Sequence, residues 1–424
     1  MLKLTDFEYS LKTLANLCFD GSDKESIKMQ VALGKKLIPY TESLATLKGA
    51  MEWCKNHGIK SGSTLRGIMA VANSINKGES PLIPLDTSSS QSLIISVITR
   101  DNAGIKEFFG TRDIYTQVAN YLKDRFPNLK DTPRKVFKKA FMAWGYGGSS
   151  HFKQLLGVKD EELSCIMKDM AKELNFLGIY IFRQVCLDAW SEDRIQYRWL
   201  LPDDYRVNWV ITQDTFARDW KGNYVYPANK VNLELDGLKK QIDCRWAKVG
   251  TRSPKESGTR SIGANAIHSL DAYLMREMVR RCKKSFNYES LKDIDIGDGE
   301  LHTKDIMATN LYYAYKSTGM VSMEIMNHLN YGDTIPEDYY NAIQEVLAKL
   351  PSEGFTVRPI HDEFACLASH ANEMKAQFNM LIGELYTSSI LEYFNHVFDL
   401  KAFKKGTYDK SIYSSILESD YLLA

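Results

Sequence analysis

Arg134, Lys138, Met142 and Tyr146 recur every four residues in the stretch Arg134-Lys135-Val136-Phe137-Lys138-Lys139-Ala140-Phe141-Met142-Ala143-Trp144-Gly145-Tyr146-Gly147. Residues four apart share one face of a helix. A helix here therefore presents two cations at one end and an aromatic ring at the other. Thr132-Pro133 predicts its start, a capping hydroxyl followed by proline in the first turn. Gly145, Gly147 and Gly148 let the backbone turn and allow close approach of a ligand. A lone stretch of this kind is most often a solvated basic helix with a glycine stop, and the aromatic at the glycine end sets this one apart. The cations suit a triphosphate and the ring suits a sugar or base.

A second segment complements it. Phe355–Ile360 and Phe364–Leu367 read as a strand hairpin with His361-Asp362 at its tip. A carboxylate on such a buried base is costly unless it is paired or binds a metal, although a lone Asp in a turn is more often satisfied by local amides. Leu82-Ile83-Pro84-Leu85 repeats the pattern, a short buried strand leading to Asp86 and a polar turn. Two carboxylates at two strand ends can hold two Mg²⁺ ions roughly 3.5–4 Å apart, the arrangement that activates a 3′-hydroxyl and stabilises leaving pyrophosphate.

Around these segments the chain reads as an ordinary folded protein. Its 424 residues suffice for two or three domains, and 44% are hydrophobic and 25% charged. No apolar run approaches the ~20 residues that span a membrane. The net charge of +1 confines any nucleic-acid surface to local patches. Seven scattered cysteines without a Cys-x-x-Cys pair argue against a disulfide framework or a structural zinc, and for a reducing compartment. Helical periodicity marks 1–80, 113–124, 132–145, 158–190, 265–284, 303–328 and 337–349, and Leu93–Thr99 reads better as helix than as strand. Val207–Ile211, Tyr224–Tyr226, Val231–Leu235 and Gln241–Lys248 read as strands, the last two flanking the Asp236-Gly237 hairpin signal. Arg276, Arg280, Arg281, Lys283 and Lys284 read as a solvated helix end.

Taken together and in order, these segments resemble the polymerase motifs of the single-subunit RNA polymerases of phages and mitochondria, relatives of the family A DNA polymerases. Asp86-x-Ser88-x-Ser90 looks like the first motif, Arg134-x₃-Lys138-x₇-Tyr146-Gly147 like the second and His361-Asp362 like the third. The resemblance implies an α+β, mostly helical fold, a right-hand palm and fingers with an antiparallel palm sheet. It implies that Asp86 and Asp362, with the Thr87 carbonyl, hold two Mg²⁺ ions. Arg134 and Lys138 would contact the triphosphate, with Lys138 a proton donor to pyrophosphate. Tyr146 would sense the ribose. Tyr115, in Asp113-Ile114-Tyr115, resembles a substrate-facing fingers segment, and His268, in Asn265–Ala272, resembles the histidine that helps recognise the 2′-hydroxyl. The C-terminal stretch 416–424 resembles the hydrophobic foot that abuts the active site.

Glu363 is a family A DNA polymerase trait, whereas Met142, the His268 segment and the foot favour an RNA polymerase. Gln91 stands where the RNA enzymes carry a small residue that leaves room for the ribose hydroxyl. The expected organisation is a helical lead-in (1–80), a first palm segment (81–112), fingers (113–196), a palm insertion with a DNA-facing hairpin at Lys239/Lys240 (197–264), a fingers/palm helix (265–284), an inserted helical subdomain (285–350), and a second palm segment with the foot (351–424). A thumb and the family's hybrid-gripping element are not legible before Asp86. The chain thus resembles the catalytic half of a split polymerase of the heterodimeric kind found in N-four-type podophages. The expected partners are a DNA template, an RNA product, nucleoside triphosphates, a second subunit carrying the N-terminal and thumb regions, and a single-stranded-DNA-binding or promoter-recruiting factor. No membrane is expected, and the expected setting is the cytoplasm of a phage-infected bacterium. The alternatives are a family A-like DNA polymerase fragment, and a non-catalytic, polymerase-derived DNA-binding subunit.

Overall fold

The computed structural model describes residues 1–87, 89–110, 113–189, 196–210, 261–291, 294–400 and 404–424, and between 212 and 249 the backbone of short strands only. The chain is mostly helical with small, chiefly antiparallel sheets. Among the described residues no helix is long and apolar enough to cross a membrane.

Five helices open the chain: α1 (Asp6–Cys18), α2 (Ile27–Lys35), α3 (Thr41–Leu44), α4 (Leu47–Asn56) and α5 (Gly62–Lys77). A capping box fixes the start of α1, with Thr5 and Glu8 exchanging bonds to each other's amides. Helices α1 and α2 pack so closely that a Cβ at Gly34 would lie 2.2 Å from the Leu11 carbonyl oxygen. Leu14, Leu37, Leu44, Ile68 and Val71 form a hydrophobic cluster of their own here. Gly78, in the left-handed region at φ 68°, ends α5 and turns the chain into β1 (Leu82–Asp86).

Next come α6 (Ser90–Thr99), α7 (Asn102–Lys106), α8 (Ile114–Arg125), α9 (Arg134–Gly145), α10 (Ser150–Leu156), α11 (Asp160–Glu173) and α12 (Leu177–Asp188). Helix α6 is buried from Gln91 to Thr99 and surrounded by α9, α12, α13 and α16, the last two lying further along the chain. A helix that is apolar all round belongs in the centre of a large core. Strands β2 (Gln196–Leu200) and β3 (Arg206–Val210) pair antiparallel. They are followed by β4 (Thr212–Asp214), β5 (Ala217–Arg218), β6 (Tyr224–Val225), β7 (Asn229–Leu235), β8 (Leu238–Cys244) and β9 (Ala247–Val249), which pair as β4–β9, β5–β6 and β7–β8. Asp236-Gly237 and residues 250–260 lie outside the described residues, as do the side chains of Lys239 and Lys240.

Helix α13 (Ser261–Lys283) leads to β10 (Asp295–Gly297), α14 (Ile306–Thr318), β11 (Thr334–Pro336) and α15 (Glu337–Leu347). Leu311, Met323, Met326, Ile335 and Ile343 form a third hydrophobic cluster there, and β10 pairs with β11 in parallel. The chain closes with β12 (Arg358–Ile360), β13 (Glu363–Leu367), α16 (Ala371–Thr387), α17 (Ile390–Phe398) and α18 (Lys410–Leu417). The sheet order is β1–β13–β12, antiparallel throughout, with Asp86 opposite Glu363. Pro84 and Pro359 both stand on its outer strands, where a missing N–H costs no ladder bond.

Several expectations are corrected. Strand β1 alternates exposed and buried residues, so only Ile83 and Leu85 enter the core. Thr132 does not cap α9; its amide closes a turn onto Leu129, and Pro133 occupies the cap position without a side-chain bond. The helix expected over 303–328 stops at Thr318, because Gly319 takes the left-handed conformation at φ 72°. The basic end of α13 is solvated only at Lys283, and its three arginines are paired. Arg281 and Glu277 are fully buried. Arg281 donates to Glu277 (3.2 Å) and Glu384 (2.6 and 2.8 Å), and Arg276 grips Asp203 at 2.6 and 2.9 Å. Arg280 joins Asp203 (3.0 Å) to Glu324 (2.7 Å).

Candidate active site

The first motif leaves the sheet at Asp86. The amide and carbonyl of Asp86 pair with Ala424 at 3.1 and 3.0 Å, and Thr87 bridges to Leu423, so residues 423–424 run beside the strand end. Thr87 faces the other way: its amide (3.1 Å) and hydroxyl (2.9 Å) both donate to the Asp362 carbonyl. That clasp joins the two carboxylate-bearing segments across the sheet end. His361, at the hairpin tip, takes the left-handed conformation (φ 58°), as does Ser89 beyond Asp86 (φ 53°). Such non-glycine residues cost of order 1 kcal/mol or more each and persist where the surroundings hold them. Ser89 is held by Tyr115, whose hydroxyl lies 2.9 Å from the Ser89 hydroxyl.

Helix α9 forms the facing wall. Arg134, Lys138, Met142 and Tyr146 line one cleft together with Asp86, Thr87, Gln91, Tyr115 and Asp362. Tyr115 is the hub of the cationic end: the Lys138 ammonium lies 5.1 Å and the Arg134 guanidinium 5.4 Å from its ring centre. Arg134 donates to Asp113 at 2.5 Å and to Thr116 at 3.2 Å. At the glycine end the Tyr146 ring stacks on His268, centres 4.6 Å apart. A Cβ at Gly145 would lie 2.2 Å from the Gln91 amide nitrogen, so the glycine makes room for Gln91. That nitrogen is buried and has no hydrogen-bond partner among the described residues.

The electrostatics are those of a cleft short of counter-charge. Asp86 opens onto it, yet the enclosing walls, then Asp362 and Glu363, push its carboxyl up to about 6, against the pull of Lys138 and Lys24. Glu363 is raised by burial and by Asp362. Asp271 is pushed to about 6 by burial and by Asp362. Desolvation and the neighbouring His361 hold His268 below its ordinary value. Burial would raise Asp113, but the bond from Arg134, with those from Thr116 and the Tyr115 amide, holds its carboxyl low.

Oxygen donors of this kind suit a hard divalent cation. Among the described residues no three His, Cys, Asp or Glu side chains are gathered at metal-binding distance, so the candidate set is two carboxylates and a carbonyl. Asp86 is electrostatically frustrated in a way a cation relieves. Among the described residues no hydrogen bond uses the Thr87 carbonyl. The residues present therefore fit Mg²⁺.

All eight residues singled out from the sequence, Asp86, Thr87, Tyr115, Arg134, Lys138, Tyr146, His268 and Asp362, meet at this cleft or, for His268, against a ring that lines it. Ser88 of the first motif lies outside the described residues. Sequence reasoning missed five contributors. Arg183 donates to the Trp144 (2.9 Å) and Gly147 (3.3 Å) carbonyls, fixing the end of α9. Asp271 follows His268 one turn on, a spacing that could have raised it. Asp23, Lys24 and Gln30 reach the cleft from the N-terminal helices, and no local pattern marks them. No protein-family model and no curated protein matches this chain.

Proposed function

We propose that this chain is the catalytic subunit of a DNA-directed RNA polymerase, joining nucleoside monophosphate units from triphosphates to an RNA 3′ end under the direction of a template. The observation that carries the reading is the convergence of Asp86 and Asp362 with Arg134, Lys138 and Tyr146 in one cleft. Their order and spacing along the chain resemble the motifs of the single-subunit RNA polymerases, and the palm-and-fingers assignment belongs to this proposal. Asp86, Asp362 and the Thr87 carbonyl would hold Mg²⁺, which when bound lowers the pKa of the attacking hydroxyl and neutralises charge on the leaving group. Arg134 binds the phosphate tail. Lys138, within electrostatic reach of Asp86, holds the proton that a leaving pyrophosphate oxygen takes up. Tyr146, braced by His268, packs against the sugar and orients it. Phe7, Met29, Tyr40, Leu47 and Met51 expose about half of their surfaces in the N-terminal helical region, apolar area that a second subunit carrying thumb and upstream elements would cover.

A family A-like DNA polymerase is the second reading, favoured by buried Gln91 at the cleft wall, where the RNA enzymes leave space. Primer extension with ribo- or deoxynucleotides tests both. Asp86→Asn and Asp362→Asn each lose nucleotidyl transfer by about 10³-fold or more while template binding is kept and the melting temperature does not fall. Near-wild-type extension by either variant overturns the assignment.

A further inference from the structure

Arg134 lines the cleft, yet its Nε is already taken by the Asp113 carboxylate at 2.5 Å. Lys138, one turn further along the same helix face, makes no ion pair with a described carboxylate. Of the two cations that helix α9 turns to the cleft, one is thus available and one is masked. The mask is built to come off. Asp113 caps helix α8, accepting from the Tyr115 amide (3.3 Å) and from the Thr116 amide (3.2 Å) and hydroxyl (2.5 Å). If the guanidinium leaves, those three donors still satisfy the carboxylate, so the swap strands no buried charge. Arg134 is the more open partner, its side chain 38% exposed against 15% for Asp113, and it is the group that can swing.

We propose that Asp113 is the resting counter-ion of Arg134: the polyphosphate tail of an incoming nucleotide displaces it, and it recaptures the guanidinium as pyrophosphate leaves. The inference rests on reading the cleft as a nucleotidyl-transfer site. Only an ion pair is exchanged, with no proton or covalent bond involved. Asp113 acts through Arg134 and is a positioning residue. It weakens polyphosphate binding in the ground state and in return speeds release of the product.

The test uses the full chain, with any subunit that co-purifies, titrated with inorganic tripolyphosphate and separately with a nucleoside monophosphate. Asp113→Asn keeps an oxygen for the helix cap and removes the charge. It is expected to bind tripolyphosphate about five- to twentyfold more tightly than wild type, with the gain shrinking at ~1 M salt. Monophosphate binding stays unchanged. In primer extension the variant is inhibited by pyrophosphate at correspondingly lower concentration. Asp113→Ser, which also caps helices, carries the same expectation should the Asn protein fold poorly. Wild-type binding of tripolyphosphate with equal or weaker binding by both variants overturns the counter-ion role and leaves the pair a structural brace. A wild-type chain that neither binds tripolyphosphate nor transfers nucleotides overturns the nucleotidyl-transfer reading, and this inference falls with it.

Discussion

The end of helix α13 and the cleft are both dense in charge, and they handle it in opposite ways. At α13 each carboxylate is matched. Burial opposes the Arg281 charge, but Glu384 and Glu277 more than offset it, and Ser322 (2.9 Å) and the Met323 amide (2.7 Å) satisfy the oxygens of Glu277. At the cleft burial, and after it repulsion from Asp362, pushes the carboxyls of Asp86 and Asp271 up to about 6 and raises Glu363 as well. A buried network that is fully satisfied is a fastening. A crowd of carboxylates whose burial and mutual repulsion outweigh the nearby Lys138 and Lys24 is a site that waits for something more positive, and strongly displaced ionisation is a physical pointer to chemistry. The raw sequence hides the difference, since α13 carries more basic residues near its end than α9 presents to its cleft.

Breaking the matched side gives the largest stability change. Arg281→Met leaves Glu277 buried beside a single remaining cation, and removing one partner of a buried pair costs about 3–5 kcal/mol. Denaturant unfolding reads it as a fall in midpoint. A loss below about 1 kcal/mol would put this network in the class of surface ion pairs and erase the contrast.

The cleft has polar mismatch as well as charge mismatch, and sugar choice sharpens that side. Tyr146→Phe keeps the ring on His268 and removes the hydroxyl, so discrimination between ribo- and deoxynucleotides falls by about 1–3 kcal/mol. Competitive incorporation measures the ratio. If the ratio holds in Tyr146→Phe and moves in Gln91→Ala, selection lies with the buried, unpartnered Gln91 amide instead.

The smallest effect is on stability against pH. A carboxyl near 6 in the folded chain and 3.8 in the unfolded one binds more protons when folded between those values. Stability therefore falls as pH rises from about 4 to 6. Asp86→Asn removes that group's share, so above pH 6 the variant is more stable than wild type. Because Asp86 is open to water, the gain is about 1 kcal/mol or less. Millimolar Mg²⁺ is expected to raise the wild-type melting temperature at pH 7 and to narrow the gap. Equal pH profiles for the two proteins would mean that Asp86 is not frustrated.

What the sequence made legible follows the same division. Helix α9 shows itself because its functional face is exposed: cations every four residues survive as a pattern. The hairpin at His361-Asp362 shows itself because a polar pair interrupts two apolar runs. The fate of Arg281 could not be read, since its partner Glu384 lies 103 residues away and only packing brings them together. Lys24 and Asp23 reach the cleft for the same reason, through the approach of the N-terminal helices. Thr132 misled because a good capping residue can equally close the preceding turn, and here it does.

The two prolines on the outer strands of the three-stranded sheet have a consequence for how the protein behaves at high concentration. An open strand edge is a template for another chain to pair with, and sheets left unguarded join edge to edge. Pro359 withholds a donor from one side of the platform; Pro84 does so on the other, where the backbone beyond it is already taken up by residues 423–424. The platform under the two aspartates is thereby closed to intruding strands. Crowded chains crossing one another in solution meet an interrupted ladder at each edge of this sheet.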